Sequence, residues 1–290
     1  MHVVLGAAGR AGGETAGALL ARGEAVRVVV RRPEQADPWR ARGADAVVAS
    51  IEDVPAMRQA FAGADGAFLL CPPPASGDPY ARAGAIGAAL AEAVRDAGLR
   101  KLVLLSSIGA QHASGTGVIA TLNRMETALA GVAPATAFLR AGYFVESWSE
   151  VAAATADGVL PSFLAPDLKI PMVSTIDVGA AAARLLREHW QGHRIVEIGG
   201  PSDWSANDVA GAFAVALERP VAVAPVPREA RVPMLVEAGV APEIAEALAG
   251  MYGGLESGRV VREAGTEHWR GVTPLAVAVK RLVATLATAA

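Results

Sequence analysis

The stretch VVLGAAGRAGGETAGALLARG, residues 3–23, decides the fold, because an apolar run leads straight into a glycine-rich loop. The apolar run is typical of a buried strand, and the spacing of the apolar residues after the loop predicts a helix over Thr15–Ala21. Gly6, Gly9 and Gly12 therefore stand between a strand and a helix. This is the context that a dinucleotide-binding βαβ unit requires, so the stretch predicts such a unit.

Each glycine of the loop has its own task in such a unit. The first permits the tight turn, the second lets the backbone approach a pyrophosphate, and the third lets the helix pack closely on the strand. The N–H groups of Arg10 and Ala11 would face the phosphates at the positive end of the helix dipole. The alternative is a glycine-rich turn that binds no ligand. The predicted phosphate site comprises Gly6, Ala8, Gly9, Arg10, Ala11 and Gly12.

A second signal stands at the end of the next apolar run, VRVVV, residues 26–30. NAD-specific sites usually carry Asp or Glu there, to accept hydrogen bonds from the ribose hydroxyls. This chain carries Arg31 and Arg32 instead, and two guanidinium groups favour the 2′-phosphate of NADPH through charge-assisted hydrogen bonds. NADPH is the predicted cofactor and NADH stays possible. The alternative is a solvated pair of surface arginines.

Short apolar runs and amphipathic stretches alternate along the first half of the chain. Strands this apolar are covered on both faces, which predicts an α/β fold with a Rossmann-type, doubly wound parallel sheet. We expect the NAD(P)-binding domain to span residues 1–145 and to be completed by about 172–200. Residues 146–290 are expected to form a smaller α/β substrate-binding part, with helices near Pro233–Gly239 and Pro242–Met251. In this part Met234, Met251 and Tyr252, with several Leu and Val residues, either line an apolar wall for a flat ligand or belong to its core.

Composition excludes several classes of function. The 26 basic and 29 acidic residues are scattered without a basic block, which argues against nucleic-acid binding. No apolar run approaches the ~20 residues that cross a bilayer, and no export signal is recognised at the N-terminus. A single cysteine, Cys71, makes neither an internal disulfide nor a metal site. We expect a cytoplasmic monomer or homodimer that binds no metal.

Five segments in this order together resemble the NmrA-like family of atypical short-chain dehydrogenase/reductases. They are GAAGRAG (6–12), VVVRRP (28–33), SIEDVPAMRQAFAGADGAFLL (50–70), KLVLLSSIGA (101–110) and FLRAGYFVESW (138–148). The resemblance extends through VSTIDVGAAAARLL (173–186) and EIGGPSDWSANDVAGAF (197–213). The resemblance implies a Rossmann domain with a smaller substrate-binding part. It also implies one of two functions: reduction of quinones, ketones, imines or azo compounds with NAD(P)H, or non-catalytic sensing of the nucleotide.

The resemblance also implies where the rest of the cofactor lies. Arg31 would bind the 2′-phosphate, and Ser50 and Ile51 would flank the adenine. The residues implied to lie along the cofactor or near the nicotinamide are Leu70, Cys71, Pro72, Ser106, Ser107, Ala141, Gly142, Tyr143 and Phe144. Alternatively, Cys71 is simply a small buried residue, and Tyr143 and Phe144 are core residues.

The proton donor of typical short-chain reductases is missing. Their Tyr-x-x-x-Lys pair stands one helical turn apart, so that the ammonium lowers the pKa of the phenol. Counted back from Glu126, which resembles a family glutamate, the two positions hold Val118 and Leu122. A quinone or polycyclic aromatic ketone that spreads its own negative charge would need no such donor. Candidate hydrogen-bond donors to a carbonyl oxygen are Ser107, His112, Asn123 and Tyr143. His112 could instead be an ordinary loop residue. Asn123 could instead be solvated or cap a helix.

Overall fold

The computed structural model describes residues 1–289 and confirms the predicted α/β class. In chain order its strands are β1 (His2–Leu5), β2 (Val26–Val30), β3 (Asp45–Val48), β4 (Gly66–Leu69), β5 (Lys101–Ser107), β6 (Ala135–Ala141), β7 (Tyr143–Phe144), β8 (Val159–Ser162), β9 (Ile170–Val173), β10 (Gly192–Gly199), β11 (Asp203–Trp204), β12 (Ala222–Pro225) and β13 (Glu267–Arg270).

The α-helices lie between these strands and after the last of them. They are α1 (Arg10–Leu20), α2 (Asp37–Ala41), α3 (Val54–Phe61), α4 (Pro79–Asp96), α5 (Ala120–Leu129), α6 (Thr175–Arg187), α7 (Ala206–Leu217), α8 (Arg228–Glu237), α9 (Pro242–Glu256) and α10 (Leu275–Ala289). Short 3₁₀ turns cover Gly117–Ile119, Val145–Glu150 and Ala152–Asp157.

The main sheet has eight strands in the order β13-β10-β6-β5-β4-β1-β2-β3, and every neighbouring pair is parallel. The strand order reverses at β1, which pairs with β2 on one side and with β4 on the other. In sheets of this kind, ligands bind beyond the carboxyl ends of the strands at such a reversal. The glycine loop after β1 lies at this position.

Apolar side chains cover both faces of the main sheet. Val4 and Val28 belong to one core with Leu19 of α1 and Leu185 of α6, whereas Val3 points to the opposite face. That opposite face packs against α3, α4 and α5, through Met57, Phe61, Ile86, Leu90 and Met125. Continuous apolar strands are what a sheet covered on two sides needs. The predicted doubly wound arrangement is confirmed.

A third apolar core is built mainly from residues beyond position 144. It joins Trp148, Leu160, Phe213 and Val279, which come from a 3₁₀ turn, β8, α7 and α10. Two small sheets, β11-β9-β7 and β12-β8, flank this core. Of the segments expected to return to the first domain, β10 pairs with β6, and α6 packs in the same core as α1.

The structure differs from the sequence expectations at three places. Helix α1 begins at Arg10 rather than Thr15, so that Gly12 lies in its first turn, where the backbone packs too closely on Gly6 for a larger residue. Helix α8 begins at Arg228 and continues through Pro233, near which a helix was expected to begin. The main sheet also takes its last strand, β13, from the segment assigned to the smaller part. The division of the chain at residue 145 stays a prediction.

Candidate active site

The glycine loop holds β1 and α1 in close contact. Gly6 has a φ of 66°, a conformation that favours glycine, and its carbonyl oxygen accepts a 2.8 Å hydrogen bond from the N–H of Gly9. A Cβ on Gly12 would lie 2.6 Å from the carbonyl carbon of Gly6 and 2.7 Å from the carbonyl oxygen of Leu5. The first N–H groups of a helix have no acceptor within it, so those of Arg10 and its neighbours can bind an anion. The loop therefore fits a pyrophosphate.

Arg31 and Arg32 lie at the same edge of the sheet as this loop, because Leu5 of β1 pairs with Val29 of β2. Both arginines are exposed. Arg32 forms an ion pair with Glu34, with 3.0 Å between Nε and Oε1. Within residues 1–289 no carboxylate forms an ion pair with Arg31. A phosphate that binds here would therefore compete with Glu34 for Arg32 but with no such ion pair for Arg31.

Ser50 and Ile51 follow β3, which pairs in parallel with β2, so they stand at the same edge of the sheet. They lie in a turn in which the N–H of Asp53 donates to the carbonyl oxygen of Ser50 at 3.1 Å. The Ser50 hydroxyl accepts a weak 3.3 Å hydrogen bond from the N–H of Glu52. Their position agrees with the predicted place beside an adenine, and their role stays a prediction.

A cavity of about 380 Å³ opens at the carboxyl ends of β4, β5 and β6. Its lining includes all nine residues that were predicted to lie along the cofactor or near the nicotinamide. The sequence did not predict several other lining residues, among them Pro73, Pro74, Arg82, Ser147, Glu150 and Leu248. The residues predicted from the sequence that line it are Leu70, Cys71, Pro72, Ser106, Ser107, Val118, Leu122, Ala141, Gly142, Tyr143, Phe144, Met251 and Tyr252.

The glycine loop and the cavity adjoin each other. The Leu70 side chain lines the cavity and packs on Gly6, where an added Cβ would lie 2.7 Å from Leu70 Cδ2. Arg10 reaches over from α1 and donates to Ser149 Oγ at 2.8 Å. Its other terminal nitrogen lies 3.9 Å from a carboxylate oxygen of Glu150, which lines the cavity. The glycine loop and the cavity are thus neighbours, linked by the Leu70 side chain and by Arg10.

Val118 and Leu122 line the cavity from one wall, Val118 in a 3₁₀ turn and Leu122 at the start of α5. The positions where typical relatives carry the acidic tyrosine and its lysine therefore present alkyl groups. Met251 of α9 faces them from the other part of the chain. This wall can exclude water and pack against a flat ring, but it donates no proton.

His112 and Asn123 are not among the residues that line the cavity. The amide nitrogen of Asn123 donates a 2.8 Å hydrogen bond to the carbonyl oxygen of Ala110, so this side chain ties α5 to the loop after β5. His112 lies in that loop, half-buried, where its N–H donates to the carbonyl oxygen of Gly109. Of the four candidate donors, the structure brings Ser107 and Tyr143 to the cavity.

A buried ionic cluster lies beneath the cavity and engages Ser106. The Ser106 hydroxyl donates to Glu126 at 2.6 Å, and the same carboxylate binds Arg140 Nε and Nη2 at 2.9 and 2.7 Å. Arg140 is only 3% exposed and also pairs with Glu263. Although burial opposes its charge, these two carboxylates raise the pKa of Arg140. Burial raises the pKa of the neighbouring Glu197 carboxyl. The cluster fixes the floor of the cavity and occupies the Ser106 hydroxyl.

Cys71 is half-buried at the cavity wall, and burial raises the pKa of its thiol to about 11. A thiol with so high a pKa is protonated at neutral pH and is a poor nucleophile. The structure thus favours the reading of Cys71 as a small apolar wall residue.

Two further classes of site are not observed in the described part of the chain. No helix within residues 1–289 is both long and apolar enough to span a membrane. Among these same residues, no three His, Cys, Asp or Glu side chains are grouped so that they could hold a metal ion.

The sequence of this chain is similar to those of a known protein family. The model of the NmrA-like family matches residues 2–260. A curated relative from Streptomyces griseus, (4-alkanoyl-5-oxo-2,5-dihydrofuran-3-yl)methyl phosphate reductase, is 28% identical over 76% of this chain and 75% of its own.

Two solved structures have the same fold as this chain. The NADPH complex of the quinone oxidoreductase QOR2 from Escherichia coli has a TM-score of 0.80, with 24% identity over 98% of this chain and 100% of that one. The NADP(H) complex of triphenylmethane reductase from Citrobacter sp. has a TM-score of 0.81, with 22% identity over 97% of this chain and 100% of that one.

Proposed function

The chain belongs to the NmrA-like family, and from that premise we propose that it is an NADPH-dependent reductase of quinones or polycyclic aromatic ketones. The observation that carries the proposal is that the glycine loop adjoins the apolar cavity, because Leu70 packs on Gly6 and also lines the cavity. Relatives named as reductases, and structures of the same fold that hold NADPH or NADP(H), support it.

The cofactor site follows the edge of the sheet. In our proposal the glycine loop binds the pyrophosphate, Arg31 and Arg32 bind the 2′-phosphate, and Ser50 and Ile51 flank the adenine. The residues that line the near side of the cavity then orient the nicotinamide. Bound NADPH supplies a hydride there. These residues also hold the acceptor carbon of the substrate close to the nicotinamide and exclude water from the cavity.

The lining of the cavity suits a flat aromatic acceptor. Val118, Leu122, Leu248 and Met251 present alkyl or thioether groups, and Phe144 adds a ring. Quinones and aromatic ketones with neighbouring phenols spread the negative charge that hydride addition leaves on oxygen. Such substrates make up for the missing Tyr-Lys pair. The negative oxygen is still stabilised by a hydrogen-bond donor, and of the donors predicted from the sequence Ser107 and Tyr143 line the cavity.

A second candidate function is a redox sensor that binds NADP(H) without turning it over. The observation that favours this candidate is again the alkyl pair Val118 and Leu122, since a sensor needs no proton donor. The two candidates differ in the fate of the nucleotide: a reductase consumes NADPH when an acceptor is added, and a sensor leaves it unchanged.

The test is consumption of NADPH, followed by its absorbance, with menadione, phenanthrenequinone and hydroxylated polycyclic ketones as acceptors. We expect at least one acceptor to give many turnovers per protein molecule. Leu248→Trp, which fills the cavity from α9, should lower turnover about 10-fold or more while NADPH still binds. Val236→Trp is the matched control, because Val236 is exposed on α8 and does not line the cavity. If no acceptor is reduced although NADPH binds, the sensor function is favoured instead.

A further inference from the structure

Two tyrosines from distant parts of the chain meet at the cavity wall. Tyr143 lies in β7, two residues beyond the end of β6, and Tyr252 lies on α9. Their hydroxyl oxygens are 3.1 Å apart, and both residues line the cavity. We propose that this hydroxyl pair binds the negative oxygen that forms on the substrate and supplies its proton. For its reaction, this inference rests on the proposed reductase function.

The pair is held in place by aromatic packing. The Tyr252 ring meets the ring of Phe163 edge to face, with centroids 5.0 Å apart. Tyr143 packs against Trp148 at 6.1 Å and against Tyr252 at 6.3 Å. A donor that is fixed before the reaction stabilises a developing charge without the cost of reorganisation.

One hydroxyl of the pair can always donate a hydrogen bond to the substrate. Two phenol groups carry two protons, and the bond between their oxygens uses one of them. The hydroxyl that accepts this bond still has its own proton to donate. Among the described residues at the cavity, the hydroxyls of Ser106, Ser107 and Thr121 donate to Glu126 and to the carbonyl oxygens of Ile108 and Val118. Ser147 offers the other hydroxyl, which makes it the alternative to test.

Both phenols are neutral at neutral pH. Burial raises the pKa of Tyr143 well above its ordinary value, and burial also raises that of Tyr252. They are therefore hydrogen-bond donors and not bases.

Bound NADPH would supply the hydride that adds to the carbonyl carbon and would be oxidised to NADP⁺, while the π electrons of the C=O bond would move to oxygen. That oxygen takes the proton of Tyr143, and Tyr143 takes the proton of Tyr252. A water molecule returns a proton to Tyr252 and leaves as hydroxide. Tyr143 touches the substrate and is the catalytic residue. Tyr252 acts through it and is a positioning residue.

Binding of a phenolate tests the pair without any turnover. The probe is 4-nitrophenolate, whose absorbance reports binding, and 4-nitroanisole is its neutral counterpart. Removal of one hydrogen bond to a charged oxygen should weaken phenolate binding about 10-fold to 100-fold for Tyr143→Phe, and about 10-fold for Tyr252→Phe. Tyr80→Phe is the matched control, since Tyr80 is the third tyrosine and does not line the cavity. Binding of the neutral counterpart should be the same in every variant.

Turnover then separates this inference from the function on which it rests. With a reducible acceptor, Tyr252→Phe should lower kcat about 10-fold at unchanged KM and change the solvent isotope effect on kcat. If the pair binds phenolate but no acceptor consumes NADPH, the proposed function fails and the oxyanion site stands. If both phenylalanine variants bind phenolate and reduce acceptors like wild type, or if only Ser147→Ala loses phenolate binding, the hydroxyl pair is refuted.

Discussion

Replacing Gly12 by alanine should abolish NADPH binding and lower the free energy of unfolding by about 3 kcal/mol. The added Cβ would lie 2.6 Å from the carbonyl carbon of Gly6, which is backbone and cannot rotate away. Helix α1 would have to move off β1, so the loop would lose the shape that places its N–H groups around a phosphate. Denaturant unfolding measures the first effect, and quenching or enhancement of NADPH fluorescence measures the second.

The matched control for this substitution is Gly84→Ala. Gly84 lies inside α4, and apart from the adjacent residues and the backbone of its own helix no atom comes within 4 Å of the place that its Cβ would take. Alanine is the better helix residue, so this variant should be more stable by about 0.5–1 kcal/mol and bind NADPH normally. If Gly12→Ala bound NADPH like wild type, the glycine loop would not be the phosphate site.

Arg31→Ala should weaken the binding of NADPH about 10-fold to 100-fold and leave the binding of NADH nearly unchanged. Loss of charge-assisted hydrogen bonds to a phosphate gives this factor. NADH has no 2′-phosphate, so it has nothing to lose at this position. The measurement is a pair of dissociation constants, one for each cofactor, for wild type and variant.

Arg32→Ala serves as the comparison for Arg31→Ala. Arg32 already pairs with Glu34 at 3.0 Å, so Arg32→Ala should weaken the binding of NADPH less than Arg31→Ala does. Equal losses of NADPH and NADH binding in Arg31→Ala would refute the assignment of the 2′-phosphate site.

Local patterns in the sequence predicted the main sheet and the edge at which its site lies. The site residues stand at or just after the carboxyl ends of predicted strands: the glycine loop, the two arginines, and the residues at the ends of β4, β5 and β6. Parallel strands present their carboxyl ends at one edge of the sheet. This is why nine residues predicted from separate segments line a single cavity. The first turn of α1 was missed because glycines there lower the helical signal that surrounds Arg10.

Contacts between distant segments could not be predicted in this way. Strand β13 has the pattern EHWR, in which charged residues conceal a sheet strand that pairs beside β10. The meeting of Tyr143 with Tyr252 depends on how α9 packs over the strand ends, which no local pattern states. Asn123 stands close in sequence to the Leu122 position, yet it turns to the carbonyl oxygen of Ala110 instead of the cavity.

Transfer of deuterium from NADPH to an acceptor distinguishes a reductase from a protein that only binds the nucleotide. NADPH in which both hydrogens at the nicotinamide C4 are deuterium would be incubated with the protein and a polycyclic aromatic ketone, and the alcohol analysed by mass spectrometry. We predict one deuterium at the carbinol carbon for each NADPH consumed, over many turnovers. A protein that binds this NADPH and leaves both nucleotide and ketone unchanged, or an alcohol without deuterium, would contradict the proposed reductase.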